Sequence, residues 1–296
     1  MELSQLDTFL TVAAEGSFSR AGKKLLRTQP AVSLALKRLE SELGEKLIDR
    51  SSKELVLTDA GRVVLDYAGR FSNARRELYN ALEELRDMQA GKLTIGANES
   101  TALYLITHIE KFWRQYPKVK VEIRRSLSSR IPDEVRAGTL DLGAISYQPA
   151  TEDLVSTVIY NDALAFVVAP EHRFAGRKRV SIRELGMETF IAHNVLSPFR
   201  QKVIEIFEQQ GVVLRMDIEM PTIETIKKLV GRNLGVAFLP KMCVEPEVAA
   251  GTLVEVGVEE IHIERQIRLV HPGRRPLSHA GQAFLTLVQG ASTARA

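Results

Sequence analysis

The chain has 296 residues, of which 45% are hydrophobic and 26% charged, and its net charge is +3 at pH 7. About 150 residues per domain predicts two domains rather than one, and this apolar content excludes wholesale disorder. No apolar run approaches the roughly 18 residues of a membrane span, and the first residues lack the basic stretch and apolar core of a signal peptide. The single cysteine, Cys243, excludes an intramolecular disulfide and a cysteine-cluster metal site. We therefore expect a cytoplasmic protein with no membrane partner.

Residues 1–58 carry the pattern of a small helical domain. Ser4 can cap a first helix, and a second, short helix follows Gly16. Thr28 can cap a third helix, with Pro30 in its first turn and Gly44 after its end. Two helices joined by a short turn, the second with an outer face of Gln, Ser and Lys side chains, describe a helix-turn-helix. The second helix of this motif can lie in the major groove of DNA.

Basic residues cluster between positions 20 and 38, where no acidic residue occurs. A local excess of positive charge is typical of a phosphate-binding surface, but charge alone does not distinguish such a surface from a solvated helical face. Residues 46–50 and 55–57 are predicted to form two short strands around a turn at 51–54, which gives a basic wing beside the third helix. The clustered basic residues are Arg20, Lys23, Lys24, Arg27, Lys37 and Arg38.

A long helix is predicted from a cap at Thr58 to about Met88, because this stretch contains no proline. Its apolar residues repeat at heptad spacing over about four heptads, which is the signature of a coiled coil. The alternative is a helix packed on its own domain, but nearly every other position is polar or small. A dimer follows from the coiled-coil interpretation. The predicted seam consists of Val64, Tyr67, Phe71, Ala74, Leu78, Ala81 and Leu85.

These motifs strongly resemble the DNA-binding domain of LysR-type transcriptional regulators. The resemblance covers residues 1 to about 90, and the rest of the chain is more loosely similar to the effector-binding domain of that family. It implies a winged helix-turn-helix, a long linker helix and a two-lobed α/β effector domain similar to periplasmic solute-binding proteins. It also implies a homotetramer, a dimer of dimers, that changes promoter geometry when a small molecule binds. The motifs are SFSRA (17–21), TQPAVS (28–33), LE (39–40), LG (43–44), LIDR (47–50) and LTDAG (57–61).

The family's DNA-reading helix matches residues 28–39, with Gln29, Pro30 and Ser33 at its DNA-facing positions. Glutamine can pair with adenine in bidentate fashion, whereas lysine and arginine more often hold phosphates and carry no sequence information. Leu34 stands where an arginine is common in the family and can instead touch thymine methyl groups. Gly22 stands where alanine is usual, at a cost of about 1 kcal/mol inside a helix. The predicted DNA contacts are Arg20, Thr28, Gln29, Pro30, Ser33, Leu34, Lys37, Arg38, Arg50 and Lys53.

Strand and helix patterns alternate from residue 92 onward, which predicts an α/β fold with mostly parallel strands. Strands are expected at 92–96, 119–123, 140–145, 164–169, 190–192 and 265–270, and helices at 102–116, 131–137, 198–210, 223–230 and 278–289. The resemblance places residues 1–58 in the DNA-binding domain, 59–90 in the linker helix and 91–296 in the effector domain. Within the effector domain it places 91–162 and 265–296 in a first lobe and 163–264 in a second.

Ligands of open α/β domains lie at the carboxyl ends of strands, next to helix N-termini that favour anions. Three such helix N-termini are predicted here, and a small organic anion is therefore the expected effector. The alternative is that these Ser, Thr and Asn side chains only cap their helices, and that His193 is a structural histidine. Family positions that commonly line the pocket favour Ser100, Thr101 and Thr222. The full set of predicted effector contacts is Ser100, Thr101, Ser146, Tyr147, His193, Asn194, Ser197, Thr222 and Phe238.

The sequence thus predicts a DNA-binding regulator whose partners are double-stranded DNA, a small effector, further copies of itself and, as a candidate, RNA polymerase. An enzyme is not expected, because the chain lacks a nucleophile elbow, a phosphate loop, a dinucleotide fingerprint and a His/Glu metal motif. No cofactor is expected either. The remaining alternatives are a redox-responsive or effector-independent regulator of the same family, for which Cys243 would need an intermolecular disulfide, and a solute-binding protein.

Overall fold

The computed structural model describes residues 1–49, 55–86, 91–150, 153–273 and 275–293. They form two compact units, the first made of Met1–Gly91 and Ala137–Thr139 and the second of Lys92–Arg136 and Leu140–Ala296. None of the described helices is both long and apolar enough to cross a membrane.

The first unit begins with three short helices, continues with a two-stranded antiparallel pair and ends with a long helix. The predicted cap at Thr28 and the helix end at Gly44, which has a φ of 72°, are confirmed. The predicted cap at Ser4 is wrong, because the helix already begins at Leu3 and the Gln5 side chain accepts a hydrogen bond from Glu2 N. The elements are α1 (Leu3–Glu15), α2 (Phe18–Lys24), α3 (Gln29–Leu43), β1 (Ile48–Asp49), β2 (Val56–Leu57) and α4 (Asp59–Arg86).

The core of the first unit lies between α1, α2, α3 and the start of α4. One buried acidic residue, Glu40, ties α3 to the strand pair: its Oε1 accepts hydrogen bonds from Leu47 N at 2.9 Å and from Ile48 N at 3.4 Å. A buried carboxylate that accepts backbone hydrogen bonds fixes the geometry of the segment it binds. The strand pair therefore starts at a fixed position beside α3. The buried core residues are Leu6, Phe9, Val12, Ala21, Val32, Leu36, Leu39, Leu47, Ile48 and Ala68.

The turn between α2 and α3 depends on Gly22. A Cβ at this position would lie 2.8 Å from Arg27 O, closer than side-chain carbons approach backbone oxygens. Arg27 N also donates a hydrogen bond to Gly22 O at 2.9 Å, so this turn closes directly over the glycine. The close approach of the turn therefore explains why position 22 holds a glycine instead of the usual alanine.

We expect Gly22→Ala to lower the free energy of unfolding of the first unit by about 1–3 kcal/mol, because the turn must shift to admit the methyl group. Gly69→Ala is the matched control: Gly69 lies inside α4, and a Cβ there would meet none of the described atoms within 4 Å, so alanine should stabilise by about 1 kcal/mol. Urea unfolding followed by circular dichroism measures both changes. Stabilisation by both substitutions would show that the turn does not constrain position 22.

The second unit alternates strands and helices as predicted, but it contains elements that the sequence did not indicate. The elements are β3 (Gly91–Ala97), α5 (Glu99–Gln115), β4 (Val119–Arg125), α6 (Ile131–Arg136), β5 (Leu142–Ile145), β6 (Leu154–Val168), β7 (Arg179–Val180), α7 (Ile182–Leu185), β8 (Ile191–His193), α8 (Pro198–Gln209), β9 (Ile218–Met220), α9 (Ile223–Gly231), β10 (Ala237–Pro240), a 3-10 turn (Lys241–Cys243), α10 (Glu245–Ala249), β11 (Val254–Val258), β12 (Glu264–Pro272) and α11 (His279–Thr293). The missed elements are β7, α7, β9, β10, the 3-10 turn, α10, β11 and the first half of β6.

Strand β6 runs through the whole of the second unit. Its first part pairs with β12 from Leu154 to Ala163, and its last part pairs with β10 and β11 from Leu164 to Val168. These pairings are antiparallel, as is that of β12 with β5, whereas β3 with β5, β7 with β11 and β8 with β9 pair in parallel. The expected parallel pairing is therefore confirmed for only part of the unit. β12 lies beside β6 and runs in the opposite direction, which makes this long pairing antiparallel.

Separate hydrophobic cores lie beside the two parts of β6. One cluster takes its buried residues from between Leu93 and Ile159 and from between Ile267 and Val288. The buried residues of two other clusters all fall between Ala165 and Ile263. We call the part of the second unit around the first of these clusters the first lobe, and the part around the other two clusters the second lobe. The boundaries predicted from the resemblance, at 162/163 and 264/265, stay a prediction.

Candidate DNA-binding and effector sites

Helix α3 presents one polar, exposed face. Gln29, Pro30, Leu34, Lys37 and Arg38 are exposed and Ser33 is half-buried, whereas Val32, Leu36 and Leu39 are buried in the core on the opposite side. Thr28 is exposed as well, and its Oγ1 accepts the hydrogen bond from Ala31 N that caps the helix. The predicted reading face is thus exposed along α3 and carried by a helix whose other side is fixed by packing.

Arg20 is exposed, and its guanidinium binds the end of α1, so its predicted contact with DNA stays a prediction. Its Nε donates a hydrogen bond to Glu15 O at 3.0 Å, and its Nη2 contacts the same oxygen. The guanidinium therefore satisfies a carbonyl at the C-terminal end of α1. Lys24 pairs with the Glu15 carboxylate at 2.6 Å, and this hydrogen bond lowers the pKa of Glu15 below its ordinary value. The predicted contacts Arg50 and Lys53 lie outside the described residues.

Helix α4 carries two apolar faces. Ala68 is buried in the core of the first unit, and Val64 packs against the same core. Tyr67, Phe71 and Leu78 are 55%, 48% and 59% exposed. Ala74 is exposed too, and the side chains of Ala81 and Leu85 lie outside the described part of the structure. The middle of the predicted seam is therefore an apolar stripe that none of the described residues covers.

A buried ion pair lies where β6 and β12 pass between the lobes. Asp162 and Arg265 face each other across the two strands, and their side chains are only 1% and 3% exposed. Arg265 Nε lies 3.5 Å from Asp162 Oδ2, and Arg265 Nη2 donates a hydrogen bond to Ser100 Oγ at 3.1 Å. Burial raises the pKa of the Asp162 carboxyl and lowers the pKa of Arg265, and each partner opposes the shift of the other.

This pair also contacts the second lobe. Asp162 Oδ1 accepts a hydrogen bond from Met242 N at 3.1 Å, and the Arg265 guanidinium lies 5.1 Å from the centre of the Phe199 ring. Phe199 is in the first turn of α8 and Ser100 is in the first turn of α5. The Asp162–Arg265 pair therefore joins helix N-termini from both lobes.

Glu99 makes a second contact between the lobes. Its Oε1 accepts a hydrogen bond from Ile223 N, the first residue of α9, at 2.9 Å. Its Oε2 lies 3.5 Å from His193 Nε2, at the end of β8. His193 Nδ1 accepts a hydrogen bond from Val195 N at 3.1 Å, which places the ring proton on Nε2, facing the Glu99 carboxylate.

Most of the predicted effector residues lie at helix N-termini or beside them. Thr101, Ser197 and Thr222 lie at the N-terminal ends of α5, α8 and α9; Ser197 and Thr222 accept capping hydrogen bonds, and Thr101 belongs to a capping box with Asn98. Ser100, His193 and Thr222 are brought together around Glu99 and Arg265. Tyr147 reaches the same end of α5, because its hydroxyl donates to Ser128 O and Ser128 Oγ accepts from Asn98 Nδ2.

Three predicted effector residues remain, Phe238, Asn194 and Ser146. Phe238 stacks on Phe190 at 5.7 Å and packs against Phe166 and Phe207 in the second lobe, so its predicted place in the wall of the cleft stays a prediction. Asn194 is exposed, and its backbone N donates to Met220 O. Ser146 is buried at the end of β5.

Sequence reasoning missed Glu99, Asp162 and Arg265. A signal existed for Arg265, because it is a charged residue at the start of a predicted strand and stands beside a predicted lobe boundary. Asp162 also stands beside a predicted boundary, but it lies outside the predicted strand at 164–169. Glu99 carried no such signal: an acidic residue in the first turn of a helix is ordinary on helix-dipole grounds. Only the fold brings it to Ile223, which is 124 positions away in the chain.

Cys243 is buried at 4% exposure, and burial raises the pKa of its thiol to about 12. A thiol with so high a pKa is a poor nucleophile, since the thiolate is the reactive form. Among the described residues, no group of three His, Cys, Asp or Glu side chains is arranged to hold a metal ion.

A helix-turn-helix unit, a long helix and a two-lobed α/β unit define a ligand-responsive DNA-binding regulator. Two family models match the chain: the bacterial regulatory helix-turn-helix protein of the lysR family over residues 3–62, and the LysR substrate binding domain over residues 86–292. The chain belongs to the LysR family of transcriptional regulators. Among its relatives is a protein of Cyanidioschyzon merolae named probable RuBisCO transcriptional regulator, which is 34% identical over 280 residues and covers 92% of each chain.

Solved structures with this fold include the full-length regulator CbnR complexed with its target DNA, with a TM-score of 0.72, 19% identity and coverage of 98% of this chain and 100% of that chain. The regulatory domain of Synechocystis CcmR in complex with 2-PG matches with a TM-score of 0.62 and 22% identity, over 68% of this chain and 97% of that chain. At these identities the likenesses establish the fold.

Proposed function

We propose that the exposed face of α3 reads a specific DNA sequence in the major groove and that a small anion bound between the lobes controls this binding. The proposal that α3 reads DNA rests on its polar face, on a helix whose opposite side is buried. This face is formed by Gln29, Ser33, Lys37 and Arg38. Gln29 and Ser33 lie near the N-terminal end of the helix, the part that reaches base edges in helix-turn-helix proteins. Lys37 and Arg38, farther along, hold phosphates.

The effector site lies where the N-termini of α5, α8 and α9 meet the strands that cross between the lobes. Ser100, His193 and Thr222 are contacts of the ligand, and Arg265 supplies the buried positive charge near it. Helix N-termini and a guanidinium both favour a carboxylate or a phosphate. Because the related CcmR domain was solved with 2-PG, 2-PG is the first ligand to test.

The exposed stripe on α4 is the dimer contact, and two dimers make a tetramer on DNA. Relatives of the chain are named RuBisCO transcriptional regulators, so promoters of RuBisCO genes are the first DNA to test. The protein acts in the cytoplasm, where that DNA lies, and it catalyses no reaction. The burial and high thiol pKa of Cys243 disfavour a redox-responsive regulator.

The reading roles are tested by two substitutions on the same helix face. Gln29→Ala should cost about 1–3 kcal/mol on the best site and relax the preference at one base position, because it removes a base contact. Lys37→Ala should weaken binding to all sequences alike and reduce the salt slope by about one, because it removes a phosphate contact. Binding of a randomised DNA pool at several salt concentrations measures both effects.

Equal and uniform losses for both variants would contradict this division of roles. The effector role is tested separately: if neither 2-PG nor a panel of organic acids changes DNA affinity, the footprint or the bend angle, the effector part of the proposal is refuted while the DNA part stands.

A further inference from the structure

We infer that Glu99 is a built-in competitor of the effector: its carboxylate takes the place of the ligand's anionic group and holds the two lobes together until the ligand displaces it. This inference rests on the effector site proposed above. It goes beyond that site by naming the residue that sets its affinity and the contact that ligand binding replaces.

The Glu99 carboxylate already occupies the position expected for an anion. Oε1 accepts the hydrogen bond of Ile223 N, which is one of the unpaired backbone donors at the N-terminal end of α9. Oε2 faces the protonated nitrogen of His193. A helix N-terminus and an imidazole N–H are the donors that a carboxylate or phosphate ligand would use at this place.

The contact joins the two lobes, because Glu99 begins α5 in the first lobe whereas Ile223 and His193 belong to the second. It is incomplete: Oε2 is buried and accepts no hydrogen bond from any described residue. A buried carboxylate oxygen without a hydrogen bond is costly. The Glu99 contact retains the cost of this unsatisfied oxygen. An anion whose oxygens all accept hydrogen bonds at this place can therefore replace it.

The charges around the site favour the same exchange. Asp162 pairs with Arg265 and accepts a hydrogen bond from Met242 N, whereas the Glu99 carboxylate lies beside His193 and Ile223 N. An anion arriving at the N-terminal end of α9 would meet the Glu99 carboxylate, and like charges repel each other. The ligand can therefore bind there only when Glu99 moves away from Ile223 and His193.

The test uses the full chain and compares Glu99→Gln with the wild type in calorimetric titrations with 2-PG and with inorganic phosphate. Glutamine keeps the size of the side chain and its oxygen acceptor but removes the charge. We expect Glu99→Gln to bind 2-PG about tenfold more tightly, because the variant no longer opposes the ligand at the α9 N-terminus.

Glu224→Gln is the matched control. Glu224 is also in the first turn of α9, but it is exposed and pairs with Lys227 instead of reaching across the cleft. It should change the affinity less than about twofold, since an exposed charge is well screened. A similar gain for both variants would mean that helix charge in general, rather than the Glu99 contact, controls the affinity.

A second measurement needs no ligand. In the ligand-free chain, hydrogen exchange of the Ile223 amide should speed up at least about tenfold in Glu99→Ala, which loses the acceptor, and stay unchanged in Glu224→Gln. Unchanged exchange in Glu99→Ala would refute the contact between the lobes. Weaker or equal binding of 2-PG and phosphate by Glu99→Gln, or no binding by either protein, would refute the competition, even if another metabolite still changed DNA binding and so left the proposed function intact.

Discussion

Arg265→Met is expected to lower the free energy of unfolding by about 3–5 kcal/mol, because it leaves the Asp162 carboxylate buried without an opposite charge. Asp162 is 1% exposed, and burial raises the pKa of its carboxyl. In the variant the folded state takes up a proton more readily than the unfolded state. The loss of stability relative to the wild type should therefore shrink as the pH falls from neutral toward the ordinary carboxyl range.

The double variant Arg265→Met with Asp162→Asn separates charge from packing. Asparagine can still accept the hydrogen bond from Met242 N that Asp162 accepts now. With neither charge buried, the double variant should be more stable than Arg265→Met alone by at least about 1 kcal/mol. Denaturant unfolding at several pH values provides the measurement. Additive losses in the double variant would show that the two charges do not depend on each other.

Phe71→Glu is expected to convert the protein to a monomer and to reduce its affinity for operator DNA about a hundredfold or more. The ring of Phe71 is 48% exposed in the middle of the α4 stripe, between Tyr67 and Leu78. A carboxylate there would be buried in a coiled-coil seam, which a dimer cannot accommodate without a partner charge. Two joined helix-turn-helix units bind DNA far more tightly than one, because binding of the second unit becomes intramolecular.

Tyr79→Glu is the matched control for this prediction. Tyr79 is aromatic, lies on the same helix and is 62% exposed, but it falls outside the heptad seam. Its substitution should leave the molar mass and the DNA affinity unchanged. Analytical ultracentrifugation and a DNA titration test both variants, and a Phe71→Glu protein that keeps the mass of the wild type would remove the stripe from the dimer contact.

Local signals in the sequence were enough to predict the helix-turn-helix of the first unit. The cap at Thr28, the end of α3 at Gly44 and the spacing of buried Val32, Leu36 and Leu39 each depend on residues within one or two turns. Such signals report on backbone conformation and on one helix face, and these do not require knowledge of the rest of the fold.

The connection between the lobes could not be predicted in this way. Strand β6 was expected only over its last residues, because its first half mixes polar and apolar side chains and lacks a clear alternation. The contacts of Glu99 with Ile223 and of Arg265 with Ser100 join positions 124 and 165 residues apart. Only the antiparallel return of β12 beside β6 brings these residues together, and no local pattern specifies that return.

Sequence-specific DNA recognition through α3 is the central claim, and a nuclease footprint tests it most directly. Purified protein would be bound to DNA upstream of its own gene and of RuBisCO genes, at two salt concentrations, beside Gln29→Ala. We expect protection of paired half-sites on one face of the duplex, about one helical turn or a multiple of it apart, with the protection weakened or shifted by Gln29→Ala. Protection that is absent, or that is the same on every sequence and unaffected by Gln29→Ala, would contradict the account.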